Sequence, residues 1–149
     1  VPHAPLGRWP TPVEPLRLPS MRSDGNTLWL KRDDLSAPEY GGNKVRTLEV
    51  LFGDARDRGE ETIWATGAYG SNHALATAVN APRAGLEAGA VLFPQPRGSV
   101  SGVGAAVENL RATLSLCQVV DLPHWSFLPL GMARVSGAVM PPGGATPLG

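Results

Sequence analysis

Lys44 follows Gly41, Gly42 and Asn43 at a point where a loop turns into a helix, so one amine stands beside glycine-lined backbone and the positive end of a helix dipole. A cation is electrostatically poor there unless an anion lies near or the amine is neutralised by condensing with a carbonyl. A desolvated lysine is the usual nucleophile for such a condensation. The stretch therefore suits an anionic, carbonyl-bearing partner. A plainer alternative, a solvated lysine in a first helical turn, is also compatible with the spacing.

Gly67-Ala68-Tyr69-Gly70-Ser71-Asn72-His73 repeats the layout, with a glycine turn running from an apolar strand into a helix start. The backbone N–H groups of residues 71 to 73 would point toward an anion such as a carboxylate, with the Ser71 hydroxyl as a further donor. A capped helix after a tight turn explains the same residues. Ser71 and His73 are two apart and do not face each other on a helix, which excludes a serine-hydrolase dyad. His3 and His124 have no partners at ligand spacing, so no metal is expected. Asp33 and Asp34 lie on a loop and need not act together. Neither glycine turn fits a P-loop or a dinucleotide fingerprint.

The elements that must position these residues read as follows. Six prolines between Pro2 and Pro19 alternate with Leu6, Trp9, Val13, Leu16 and Leu18, which suggests an extended arm laid over a core. Leu28 to Arg32 reads as the first strand. A helix from Asn43 follows, with Val45, Leu48, Leu51, Phe52 and Ala55 inward; Arg46, Glu49, Asp54, Arg56 and Arg58 take the other face and Gly59 closes it. Thr62 to Thr66 is a short buried strand, and Ser71 caps a helix from Asn72 toward Asn80 that Pro82 should end or kink. Further strands are expected at Ala90–Phe93, Gln118–Leu122 and Ala138–Met140. Between them fall a helix over Val100–Leu116, with Val103, Val107, Leu110 and Leu114 inward, and a weak one around Phe127–Val135. Strands alternating with helices argue for a parallel α/β sheet, whose ligands gather at the carboxyl ends of the strands. Both glycine turns are expected there.

Bulk properties narrow the partners. A 149-residue domain buries roughly 68–70% of its unfolded surface, enough for an ordinary core. Thirteen Lys and Arg balance thirteen Asp and Glu, so no long-range field draws in nucleic acid or anionic lipid. No apolar run approaches the length of a membrane span. Cys117 is the single cysteine, which fits a reducing, cytoplasmic setting. Small molecules are the expected partners.

Taken in order, Leu30-Lys31-Arg32-Asp33-Asp34, Gly42-Asn43-Lys44-Val45-Arg46 with Leu48-Glu49, Ser71-Asn72-His73, and Pro142-Gly143-Gly144-Ala145-Thr146 with Leu148-Gly149 resemble the D-cysteine desulfhydrase and 1-aminocyclopropane-1-carboxylate deaminase family. The resemblance runs from about Trp9 to Gly149. It implies pyridoxal 5′-phosphate as cofactor and the tryptophan synthase β-like α/β fold called fold type II, a parallel sheet with flanking helices. It implies a lyase or deaminase that acts on a small amino acid and releases ammonia and a 2-oxo acid, with a homodimer as the family's habit. By this likeness Lys44 would link to the cofactor aldehyde, Asn43 would help near the phosphate, and Asn72 would hydrogen-bond the ring 3′-oxygen. Ser71 would hold the substrate carboxylate, with Asn72 and His73 as substrate-side neighbours; deaminases tend to carry Gln where His73 stands.

Departures from the family pattern are Gly70, where relatives usually have Gln, Thr47, where many have a basic residue, and Pro82. On the family's plan residues 1–40 are an arm and first strand of a larger domain, and residues 41–149 form a smaller domain carrying the lysine. The other half of the larger domain, with the phosphate cup and the ring-nitrogen partner, would lie beyond Gly149, so this stretch by itself is expected to be inactive or feeble. Competing readings are a non-catalytic, truncated remnant or anion-binding α/β module, and a cysteine synthase-like β-replacement enzyme.

Overall fold

The computed structural model describes residues 2–16, 27–95 and 103–144. Leu18, Pro19, the start of the third helix expected at Val100, and Ala145 to Gly149 of the last motif lie outside the described residues. Strand β1 (Val13–Leu16) pairs antiparallel with β2 (Leu28–Lys31), Val13 opposite Lys31 and Leu16 opposite Leu28. This ribbon stands apart from the main sheet and leaves Val13 at 55% and Trp29 at 63% exposure. The strand expected at Leu28 forms, paired with β1 and outside the main sheet.

That sheet is built from β3 (Thr62–Ala68), β4 (Glu87–Phe93), β5 (Gln118–Asp121) and β6 (Ala138–Met140), all parallel, in the order β5-β4-β3-β6. Its period-two alternation divides the core cleanly. Ile63, Ala65, Ala90, Leu92, Ala138 and Met140 join one buried cluster, whereas Trp64, Val91 and Leu122 form a smaller one on the opposite face. Trp64 lies over Gly89, where any β-carbon would collide with the indole ring.

Helices α1 (Asn43–Asp57), α2 (Asn72–Asn80) and α3 (Val103–Leu116) cover the first face, and α4 (Leu128–Ala133) packs on β4 across the second. Helix α2 is central and nearly all buried, which its small residues Ala74, Ala76 and Ala78 permit. Two of its buried polar side chains, Thr77 and Asn80, are satisfied within the helix. Thr77 Oγ1 donates to His73 O at 2.9 Å and Asn80 Nδ2 to Ala76 O at 2.9 Å. The helix ends at Asn80, and Pro82 opens a separate short turn as expected.

Two burial expectations fail. On α3 Val107 and Leu114 are exposed at 41% and 56%, while Ala106, Asn109, Leu110 and Thr113, with Cys117 just past the helix end, face inward. Thr113 is able to bury because its hydroxyl returns to Asn109 O at 2.8 Å, and the small side chains on this face suit close approach to α2. Glu49, assigned to the polar face of α1, is 3% exposed. It accepts hydrogen bonds from Leu6 N at 3.0 Å, Gly7 N at 2.8 Å and Trp9 Nε1 at 2.8 Å, and so pins the arm. The arm crosses α1 at Gly53, where a β-carbon would strike the backbone of Pro2 and His3, and Arg46 stacks 3.9 Å over the Trp9 ring. Among the described residues no helix is long and apolar enough to cross a membrane, and no cluster of His, Cys, Asp and Glu could hold a metal ion.

Candidate functional site

Helix α1 begins at Asn43 because Gly42 adopts φ 136°, a conformation that side chains disfavour, and because Ser36 holds it there. The Gly42 N–H donates to Ser36 Oγ at 3.0 Å, and the Ser36 hydroxyl returns to Gly42 O at 3.3 Å. Gly42 has open space where a side chain would be. Gly41 does not, since a β-carbon there would run into the Asp34 carbonyl; the expectation of open backbone holds for Gly42 alone. No side chain caps α1 and no acidic residue sits in its first turn, so the positive end of this 15-residue helix is left for an outside anion. This glycine turn follows the β1–β2 ribbon rather than a strand of the parallel sheet, contrary to expectation.

The second turn does lie at the carboxyl end of β3. Ser71 N–H closes that turn on Ala68 O at 3.0 Å, so only Asn72 and His73 keep amides without an intrahelical acceptor; Ser71 does not join them as expected. Ser71 Oγ accepts from Ala74 N at 3.3 Å. A hydroxyl that accepts still has its own proton to give. Asn72 is exposed, with Oδ1 receiving Tyr40 OH at 3.2 Å and Asn109 Nδ2 at 2.7 Å.

The two helix starts meet at the short turn Pro142–Gly144 after β6. Lys44 Nζ donates to Gly143 O at 3.1 Å. Gly144 sits so close to His73 that a β-carbon would lie 3.1 Å from the ring, with Thr47 3.4 Å and Leu51 3.5 Å away. His73 is 2% exposed, and neither ring nitrogen has a hydrogen-bond partner among the described residues. Burial, and then the positive charge of Lys44, push its pKa down to about 4, so the ring is neutral at pH 7. The substrate-side role expected of His73 is open to its backbone N–H rather than to its inward ring. Asn43 is exposed and its side chain bonds nothing among the described residues.

Lys44 is one of two lysines in the sequence. The other, Lys31, is engaged on the ribbon with Thr11 O at 2.8 Å, the Thr11 hydroxyl and Asp33 Oδ1 at 3.5 Å. Sequence reasoning missed Ser36, Tyr40, Asn109 and the Gly143 carbonyl; spacing gives no signal for them because each reaches the site through packing. An amine held on a backbone carbonyl, outward amides, a hydroxyl proton and an uncapped helix start together suit a small anion that carries a carbonyl.

A family model described as pyridoxal-phosphate dependent enzyme matches residues 4–119. A D-cysteine desulfhydrase of Salmonella paratyphi A is 32% identical over 94% of this chain and 45% of its own length. Nocardicin C-9′ epimerase of Nocardia uniformis subsp. tsuyamanensis is 31% identical over 99% of this chain and 46% of its own. The crystal structure of an ACC deaminase homologue superposes with a TM-score of 0.73 at 31% identity, covering 99% of this chain and 46% of that one. The chain thus spans about half the length of the relatives it matches.

Proposed function

This chain belongs to the family of pyridoxal-phosphate dependent enzymes, and from that premise we propose that it is the lysine-bearing part of an enzyme that expels a β-substituent with its bonding electrons from a small amino acid, or opens a cyclopropane ring in one, and with water releases ammonia and a 2-oxo acid. The observation that carries this reading is the meeting of Lys44, through Gly143 and Gly144, with the helix start at Ser71, Asn72 and His73. Lys44 Nζ would hold the cofactor, Asn72 would offer its amide to the ring oxygen, and Asn43, at the first turn of α1, would serve the phosphate. When bound, pyridoxal 5′-phosphate supplies an electron sink that makes the proton on the substrate α-carbon removable.

The chain's own residues supply the rest. Ser71 Oγ keeps its proton for the substrate carboxylate, joined by the N–H groups of Asn72 and His73 at the positive end of α2. Lys44 Nζ would be the group that moves the proton on the substrate α-carbon. Its partner Gly143 O accepts from this nitrogen and so orients it. Neutral His73 adds no second positive charge beside it. The exposed β1–β2 ribbon supports reading residues 1–40 as belonging to a larger domain and residues 41–149 as the smaller, lysine-bearing one. We infer a cytoplasmic enzyme from the single cysteine, Cys117, and a homodimer from the family likeness.

Borohydride reduction of the cofactor-loaded, full-length protein followed by peptide mapping tests the site. Label at Lys44 is expected, with its loss in Lys44→Ala. Stoichiometric label at Lys31 instead would overturn the assignment. Product analysis with D-cysteine, L-cysteine and 1-aminocyclopropane-1-carboxylate tests the reaction, and an amino acid recovered intact with inverted configuration would replace it with epimerisation.

A further inference from the structure

Asn72 is exposed at the start of α2, and its amide can face two ways, presenting either a donor or an acceptor to a ligand. The choice is settled by a backbone atom that cannot flip. Asn109, on α3, approaches the Gly70 carbonyl with Nδ2 at 3.2 Å. Turned over, it would oppose one carbonyl oxygen with another, so the nitrogen must be the end that faces Gly70. The same nitrogen lies 2.7 Å from Asn72 Oδ1 and uses its second proton there. Had Asn72 been turned over, two NH2 groups would meet. Tyr40 OH, whose proton is retained more strongly because burial raises its pKa, donates to the same Asn72 oxygen at 3.2 Å.

We propose that Asn109 is a positioning residue that, anchored by the Gly70 carbonyl, locks the Asn72 amide with its oxygen inward and its NH2 turned to the ligand. This rests on the functional reading above, in which Asn72 donates to the cofactor ring oxygen. It also gives Gly70 a reason. Gly70 has φ 75°, and a β-carbon there would collide with the carbonyl oxygen and α-carbon of Ala106. Glycine alone allows α3 to come close enough for Asn109, one turn beyond Ala106, to reach both acceptors.

The test uses the full-length protein and three variants. Asn109→Asp keeps the shape but cannot donate, so Asn72 must turn its NH2 inward and show the ligand an oxygen. Cofactor affinity is expected to fall by about tenfold, the worth of one well-placed hydrogen bond, with a shift in the visible absorbance of the bound cofactor. In an Asn72→Ala background Asn109→Ala should change the affinity little, because the group it orients is gone. Unchanged affinity and absorbance in Asn109→Asp, or full additivity of Asn109→Ala with Asn72→Ala, would overturn the proposal. A readout without cofactor separates this from the functional reading: the side-chain amide protons of Asn109 should exchange with water several-fold more slowly than those of Asn43. Equal rates sink the Asn109 lock, whereas a wild-type protein that holds no cofactor while Asn109 is protected sinks the functional reading alone.

Discussion

Replacing Glu49 with alanine should release the N-terminal arm from the lysine-bearing helix. Glu49 is buried and accepts three N–H groups, of which Leu6 N is itself buried while Gly7 N and Trp9 Nε1 are partly so; the His3 ring lies 3.3 Å away. Alanine leaves all three donors without their acceptor. A buried orphan costs about 1–3 kcal/mol, and donors that water can reach cost nearer 1 kcal/mol each, so the change should total about 3–5 kcal/mol. That is a large share of the 5–15 kcal/mol typical of a domain. With a urea slope of about 2 kcal/mol/M the midpoint should drop by roughly 2 M. Glu49→Gln keeps one oxygen on the Leu6 and Gly7 amides but turns an NH2 toward Trp9, so it should lose about 1–2 kcal/mol. The order wild type, Gln, Ala is the signature of the contact. A local readout guards against partial unfolding that a global scan would blur: trypsin should cut after Arg8 faster in the alanine variant, because Arg8 N is otherwise bonded to Ser36 O at 2.7 Å. Should Glu49→Ala move the urea midpoint by less than about 0.5 M and leave the cleavage rate unchanged, the latch argument is wrong. Burial raises the Glu49 pKa, but the bonds from Gly7, Trp9 and Leu6, with His3, outweigh it and hold the group below its ordinary value of 4.5. The latch is therefore complete above that pH and weakens as acid protonates it in the folded state.

His73 adds a separate acid sensitivity at higher pH. Its folded pKa of about 4 lies below the ordinary 6.5, so the unfolded chain binds more protons across that window and stability falls as pH drops through it, by on the order of 3 kcal/mol. Urea midpoints measured at pH 7.5 and pH 5 should differ less in His73→Leu than in wild type; an unchanged difference would exclude His73 as the source. Gly70→Ala forces a β-carbon against Ala106 at a positive φ and should cost about 2–4 kcal/mol in thermal or urea unfolding. A loss within about 0.5 kcal/mol, the usual range for a harmless surface change, would show that α3 moves aside freely.

Much of this fold is legible along the chain. Helix α1 starts and ends where Gly42 and Gly59 supply positive φ, α2 starts where Ser71 caps it, and four strands fall where short apolar runs lie between turns. These features are local, so a window of a few residues contains their cause. Burial on α3 was misread because its apolar stripe at Val107 and Leu114 competes with a face of small residues that packs better against the alanine-rich α2. Hydrophobicity ranks residues, but close packing also weighs shape.

Residue order alone names the groups of the candidate site: an amine at Lys44, a hydroxyl at Ser71 and an amide at Asn72, each at a helix start. The packed fold set how those groups are arranged. It turned the His73 ring inward under Gly144, set Lys44 on the Gly143 carbonyl, buried Glu49 beneath the arm and brought Asn109 to orient Asn72. Those partners are 71 residues apart for His73 and Gly144, 99 for Lys44 and Gly143, and 37 for Asn109 and Asn72. No periodicity spans such gaps, because hydrogen-bond direction and close approach are fixed only once the sheet and its helices have packed.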